Sequence, residues 1–115
     1  MSSNQDYRSK YINFRSDLRE AVRAGQLAEQ NEPDTGACNF DAPTVYLPFW
    51  KAAEINKAAE MAGIHAHEWR RNGVKAWIFS PKTTDQANRR TVNAEAMANE
   101  LKRRGYTASV YYQID

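Results

Sequence analysis

Ile64 to Pro81, IHAHEWRRNGVKAWIFSP, is the stretch from which the fold can be read. Two apolar and aromatic runs flank Asn72-Gly73, a strong short-range signal for a β-hairpin. Asn and Gly both accept positive φ, which a type I′ turn needs at its two central positions. A two-residue turn also sets the register, pairing Arg71 with Val74, Arg70 with Lys75, Trp69 with Ala76 and Glu68 with Trp77. Paired residues share a face. One face therefore carries His65, His67, Trp69, Val74, Ala76 and Ile78, and the other Ala66, Glu68, Arg70, Lys75, Trp77 and Phe79. The first set is expected to face the core.

Just upstream, Thr44 to Leu47 reads as a short strand with Val45 and Leu47 on one side and Tyr46 on the other. Pro48 ends it and suits the opening of a helix running to about Ala62, with Ala52, Ile55, Ala59 and Ala62 facing inward. Downstream, Thr83 and Gln86 match a capping box, with Asp85 in the first turn of a helix reaching Arg104. Ala87, Thr91, Ala94, Ala98 and Leu101 form its narrow inner face. Tyr106 to Gln113 reads as the last strand, with Tyr111 pointing to the side opposite Ala108 and Val110. From Thr44 to the end, residues 44–115, the order is β-α-β-β-α-β, the ferredoxin-like split arrangement. Right-handed crossovers then predict a four-stranded antiparallel sheet of order 4-1-3-2 with both helices on one face.

Two segments precede this α+β core within a single domain spanning residues 1–115. Residues 1–27 read as a helix, because Tyr7, Tyr11, Phe14, Leu18 and Val22 recur at three- and four-residue steps. Asn4 is its expected N-cap, and Gly25 is expected to fray its end. Residues 28–43 lack periodicity and collect Asn, Asp, Pro and Gly, which is loop chemistry. Cys38 and Phe40 suggest that the second half of this loop is pinned to the body.

A net charge of +2 does not mark the chain as a nucleic-acid or membrane binder. The charge is uneven, however. Ala28 to Asp41 has acids and no base, whereas Arg70 to Lys82 and Arg89 to Arg104 are rich in Lys and Arg. The single Cys38 excludes an internal disulfide and a zinc site built on several thiolates. No apolar run is long enough for a membrane helix, and the N-terminus is polar, so a cytoplasmic protein without a membrane partner is expected.

If Val74, Ala76 and Ile78 lie under the helices, the opposite side of the sheet carries Trp77, Phe79, Tyr46 and Tyr111 beside Arg70 and Lys75. That set resembles an RNA-recognition surface, where aromatics stack bases and cations hold phosphates. The strand Val74 to Phe79 keeps only part of that family's motif, since Val74 and Ile78 replace other residue types. The same face has two other readings. The N-terminal helix could lay Tyr7, Tyr11, Phe14 and Leu18 across it, or two copies could pack sheet to sheet as a homodimer.

Cys38 with Asp41 and either His65 or His67 would be the one nucleophilic set, but nothing in the spacing joins them. His65 and His67 share a strand face without an evident third ligand, so neither a metal nor another cofactor is expected. No phosphate loop, nucleophile elbow or paired-carboxylate motif is present. A non-enzymatic protein is therefore expected, with a small cysteine-dependent enzyme as the remote alternative.

Two stretches, GACNFDAPTVYLP (Gly36 to Pro48) and NRRTVNAEAMANELKRRGYTASVYYQID (Asn88 to Asp115), resemble small proteins of phages and other mobile elements. The resemblance implies a compact accessory protein that binds host machinery in the host cytoplasm, as anti-CRISPR proteins do. Its partner would be a host protein or nucleoprotein complex, with Cys38, Asn39, Phe40 and Asp41 available for recognition. Asn39 and Asp41 also have a structural reading, as Asx residues bonding loop backbone. A single-stranded nucleic-acid binder using Tyr46, Arg70, Lys75, Trp77 and Phe79 is the alternative.

Overall fold

The hairpin pairs as its turn requires. Arg71 lies opposite Val74, Arg70 opposite Lys75, Trp69 opposite Ala76 and Glu68 opposite Trp77. Gly73 has φ 78°. In the computed structural model residues 3–71, 73–83 and 87–113 are described, so Asn72 lies outside them. The elements are α1 (Ser3–Glu29), β1 (Ala42–Tyr46), α2 (Ala52–Ala62), β2 (Ala66–Arg71), β3 (Val74–Phe79), α3 (Asn88–Arg103) and β4 (Thr107–Tyr111). The fold is α+β, with one four-stranded antiparallel sheet of order β2-β3-β1-β4. Read from the β4 edge, that order is 4-1-3-2.

Each helix shows the period that its packing demands. On α1, Tyr11, Phe14, Leu18, Ala21, Val22 and Glu29 are buried, a stripe at three- and four-residue steps. The side chain of Tyr7, expected in this stripe, lies outside the described residues. α1 packs along both α3 and α2. Phe14 is the hub, with its ring 5.2 Å from Trp50, 5.4 Å from Tyr106 and 5.8 Å from Phe79 of the sheet. Burying a side chain of this size contributes about 1.5–3 kcal/mol relative to leaving it in water.

Gly25 does not fray α1, which continues to Glu29. It lies where α1 crosses α3, and a Cβ there would come within 2.1 Å of Asn93 Oδ1. Asn93, fully buried on α3, donates Nδ2 to Glu29 Oε1 and to the Lys82 carbonyl, each at 2.9 Å. Thr83 Oγ1 donates to the other Glu29 oxygen at 2.7 Å. The expected capping box is thus displaced. Thr83 bonds α1, while α3 begins at Asn88, and Asp85 and Gln86 lie outside the described residues. Asn4 likewise falls inside α1 rather than capping it.

The 30–41 loop is pinned at both ends of its second half. Asn39 Oδ1 accepts from the Asp41 N–H at 3.1 Å, and its Nδ2 donates to the Ala87 carbonyl and to Thr91 Oγ1. Asp41 accepts from Thr91 Oγ1 and from the Gln113 N–H, both at 2.7 Å. These are the backbone-tying roles that Asx side chains perform in loops.

Candidate functional site

Register across β1 decides which side chains meet solvent. Val45 lies opposite both Trp77 and Ala108, while Thr44 lies opposite Ile78 and Ser109. One face therefore carries Val45, Trp77, Phe79 and Ala108. The other carries Thr44, Tyr46, Trp69, Val74, Ala76, Ile78 and Tyr111.

The helices cover the first of these. Trp77 is 3% and Phe79 0% exposed, in one core with Phe14, Leu18, Ile55, Met97 and Leu101. This corrects the sequence expectation in two respects. Trp77 and Phe79 are core residues rather than parts of an open aromatic surface, and Trp69, Val74, Ala76 and Ile78 lie on the helix-free side. The physical reason is area. A Trp and a Phe bury far more apolar surface than Val, Ala and Ile, so covering them yields the larger hydrophobic gain. α1 completes that cover through Phe14.

Tyr46 and Tyr111 do lie on the helix-free face, but with Trp69 in place of Trp77. Tyr46 is 44% and Val74 52% exposed, and Trp69, Ile78 and Tyr111 are half-buried. The Trp69 and Tyr111 rings meet at 5.0 Å between centroids. They belong to β2 and β4, the two edges of the sheet. Three inter-strand steps would hold those edges roughly 14 Å apart on a flat sheet. The long side chains therefore arch over a floor of small ones, and Ala42, Thr44 and Ala76 beneath them are buried. Beside Trp69 on this face lies a cleft of about 600 Å³ lined by Thr44, Tyr46, Trp69, Val74, Thr107 and Ser109, among others.

The β1–α2 loop extends this surface. A helix starting at Pro48 was expected, yet α2 begins at Ala52 because Phe49 adopts φ 65°. Trp50 turns inward, edge-on to Tyr11 at 5.2 Å, and the Lys51 N–H donates to Tyr11 Oη. Phe49 turns outward and is 98% exposed. Left-handed backbone at an aromatic residue costs on the order of 1 kcal/mol or more. A groove of about 380 Å³ beside Phe49 shares Tyr46 and Val74 with the sheet cleft, so the two form one continuous apolar surface.

Much of the basic charge is spoken for inside the chain. Lys75 pairs with Glu68 at 2.8 Å, and Arg15 with Glu54 at 3.0 Å. Arg104 bridges Glu100 and Asp17 at 2.6 and 2.9 Å, and Arg103 also pairs with Glu100. These two guanidinium groups hold the Glu100 carboxyl below its usual value. Arg90 Nε donates to the Asp41 carbonyl, and burial lowers the Arg90 value although Asp41 opposes it. Tyr106 Oη donates to Asp17 at 2.6 Å, and burial first, then that bond, raises its pKa. Arg70 is exposed at the hairpin.

The loop residues divide. Cys38 and Phe40 are exposed, whereas Asn39 and Asp41 are buried in the bonds described above. His65 and His67 are exposed rather than core-facing, beside a shallow groove along α2. Among the described residues, no three His, Cys, Asp or Glu side chains gather as a metal site. Also among them, no helix is long and apolar enough to cross a membrane.

Sequence reasoning missed Phe49 and Trp69. The signal for Phe49 was its place between Pro48 and Trp50, where one aromatic must turn away from the other. Trp69 had no local signal, since only the non-local pairing of Val45 with Trp77 assigns the faces of β3. No protein-family model, curated protein or solved structure matches the chain.

Proposed function

We propose that this chain is a non-enzymatic binding protein that docks on a protein partner through the helix-free face of its sheet. One observation carries the reading. Exposed Tyr46 and Val74 lie with half-buried Trp69 and Tyr111 on the helix-free face, continuous with the protruding Phe49. Contiguous exposed apolar surface of this kind marks interaction sites. Aromatic side chains supply most of the binding energy at such surfaces.

The chain order from β1 to β4, with strand order 4-1-3-2, supports a ferredoxin-like core to which α1 is an addition. The resemblance of Gly36 to Pro48 and Asn88 to Asp115 to phage and mobile-element proteins supports a narrower version. In it the chain is an inhibitor of host defence, anti-CRISPR in type, which occupies a surface of an effector complex in the host cytoplasm.

Single-stranded nucleic acid is the weaker reading. Two of its stacking residues, Trp77 and Phe79, are in the core, and Lys75 is paired with Glu68. Among the described residues, the lining of the sheet cleft contains no Lys or Arg to hold phosphate.

The test mixes the purified chain with purified CRISPR effector complexes and follows association and target cleavage. Association and inhibition are expected, weakened roughly tenfold or more by Val74→Asp or Phe49→Ala. Absence of both removes the host-defence version. Binding to oligonucleotides that falls steeply with salt would favour the nucleic-acid reading instead. A dimer that dissociates in Val74→Asp would assign the face to a second copy.

A further inference from the structure

The two edges of the sheet are built differently. β2 carries Glu68, Arg70 and Arg71, charges of the kind that keep an edge strand from pairing with another chain. β4 has no such device. Thr107 to Tyr112, TASVYY, contains no charge, proline or glycine, and β4 keeps an unbroken register with β1 from Thr107 to Tyr111. The ladder also shows which main-chain groups of β4 are left over. The Phe40 N–H donates to the Gln113 carbonyl at 2.7 Å, continuing the register that sets Ala42 opposite Tyr111. Hydrogen-bonded pairs alternate in an antiparallel ladder, so Thr107, Ser109 and Tyr111 turn their N–H and C=O groups to β1. Pro43, which has no N–H to give, sits opposite Val110, in keeping with that alternation. Ala108, Val110 and Tyr112 therefore present theirs outward, and among the described residues no strand lies beyond them.

We infer that the β4 edge pairs antiparallel with β4 of a second copy of this chain, about a two-fold axis at Val110. The strand is its own complement in that register. Val110 meets Val110 and Ala108 meets Tyr112, so every outward group of the three residues finds a partner. Large side chains fall opposite small ones on both faces, Tyr112 against Ala108 and Tyr111 against Ser109. An axis at Ser109 would instead set Tyr112 against Tyr106, whose N–H is already bonded to the Leu101 carbonyl. An axis at Tyr111 would set two tyrosines directly opposite each other. Because β4 is uncharged, no like charges on the strands meet at the axis, whereas β2 paired with itself would gather Arg70 and Arg71. The pairing joins the helix-free faces of the two copies into one surface. Their sheet clefts, each bounded on the β4 side by Thr107 and Ser109, come to lie side by side across the axis.

Sedimentation of the full chain tests this. An edge pairing of this size belongs to the weak, transient class, so dimer is expected to appear between about 10 and 500 µM. Over the same range the amide protons of Ala108, Val110 and Tyr112 should become protected about tenfold, while those of Thr107, Ser109 and Tyr111, facing β1, are already slow. Val110→Pro removes an outward N–H and leaves the β1 ladder whole, so it should fold and stay monomeric. Ser109→Lys places a charge at an exposed edge position and should weaken the dimer roughly tenfold or more, which keeps the test decisive if Val110→Pro does not fold. Val74→Asp, on the open face, should leave the dimer unchanged. A chain that stays monomeric to the highest concentration would overturn the proposal, as would a dimer that forms without protecting Ala108 and Val110. A dimer lost in Val74→Asp would give the contact to the sheet faces and overturn it too. So would a monomer whose β4 amides are protected only by an added CRISPR effector complex, which would give the edge to that partner. The docking reading is decided separately, by its own partner assay.

Discussion

On one face of the sheet Val45, Trp77 and Phe79 lie under three helices, while on the other Tyr46, Trp69, Val74 and Tyr111 meet solvent. Both faces are apolar, both are aromatic, and both alternate through the same four strands. What separates them is the cover. Phe14 on α1 reaches Phe79 from a helix, whereas the ring that meets Trp69 is Tyr111 of the sheet itself. An aromatic residue therefore says little about role until its cover is known. The covered face is the stability of this protein, and the uncovered face is its candidate interface.

Breaking that contrast begins at Phe14, which touches Trp50, Phe79 and Tyr106 at once. Phe14→Ala should cost about 3–5 kcal/mol in denaturant unfolding. Gly25→Ala comes next, because its Cβ would meet Asn93 Oδ1 at the crossing of α1 and α3. Overpacking of this kind costs about 1–3 kcal/mol, and the same unfolding curves would reveal it.

Smaller still is a dependence on alkaline pH. Burial and the bond to Asp17 raise the Tyr106 pKa above its unfolded value near 10. The contribution of the neutral phenol is therefore whole below pH 10 and is lost as pH rises above it. Melting temperature should fall above pH 10 and fall less steeply in Tyr106→Phe.

The open face should behave in the opposite way from Phe14. Val74→Ala is expected to change stability by no more than about 0.5 kcal/mol. Phe49→Gly should be neutral or slightly stabilising, because glycine accepts φ 65° without strain. If either substitution unfolds the chain, the open face is structural and the contrast fails.

The sequence carried the hairpin register to the residue, since a two-residue turn leaves one pairing available. It also carried most of the helix stripes, Ala52 on α2 being exposed rather than inward-facing, and the chain order of the elements, because period and turn chemistry are local. The polarity of the sheet was not legible. Alternation along β3 yields two sets, Val74, Ala76, Ile78 and Lys75, Trp77, Phe79, and both have apolar members. Only the non-local pairing of Val45 with Trp77 assigns one set to the core, and no local signal encodes it. The reach of Phe14 to Phe79 is likewise a tertiary fact, although the stripe containing Phe14 was visible. Phe49 escaped because Pro48 is a good helix opener, and the positive φ that delays α2 leaves no trace in composition.

The most direct test of the two-faced sheet is iodide quenching of single-tryptophan variants. One variant retains Trp77, with Trp50 and Trp69 replaced by Phe, and the other retains Trp69, with Trp50 and Trp77 replaced by Phe. In folded monomers, Trp77 should be shielded and Trp69 quenched several-fold more strongly. An accessible Trp77 beside a shielded Trp69 would invert the faces and contradict the account.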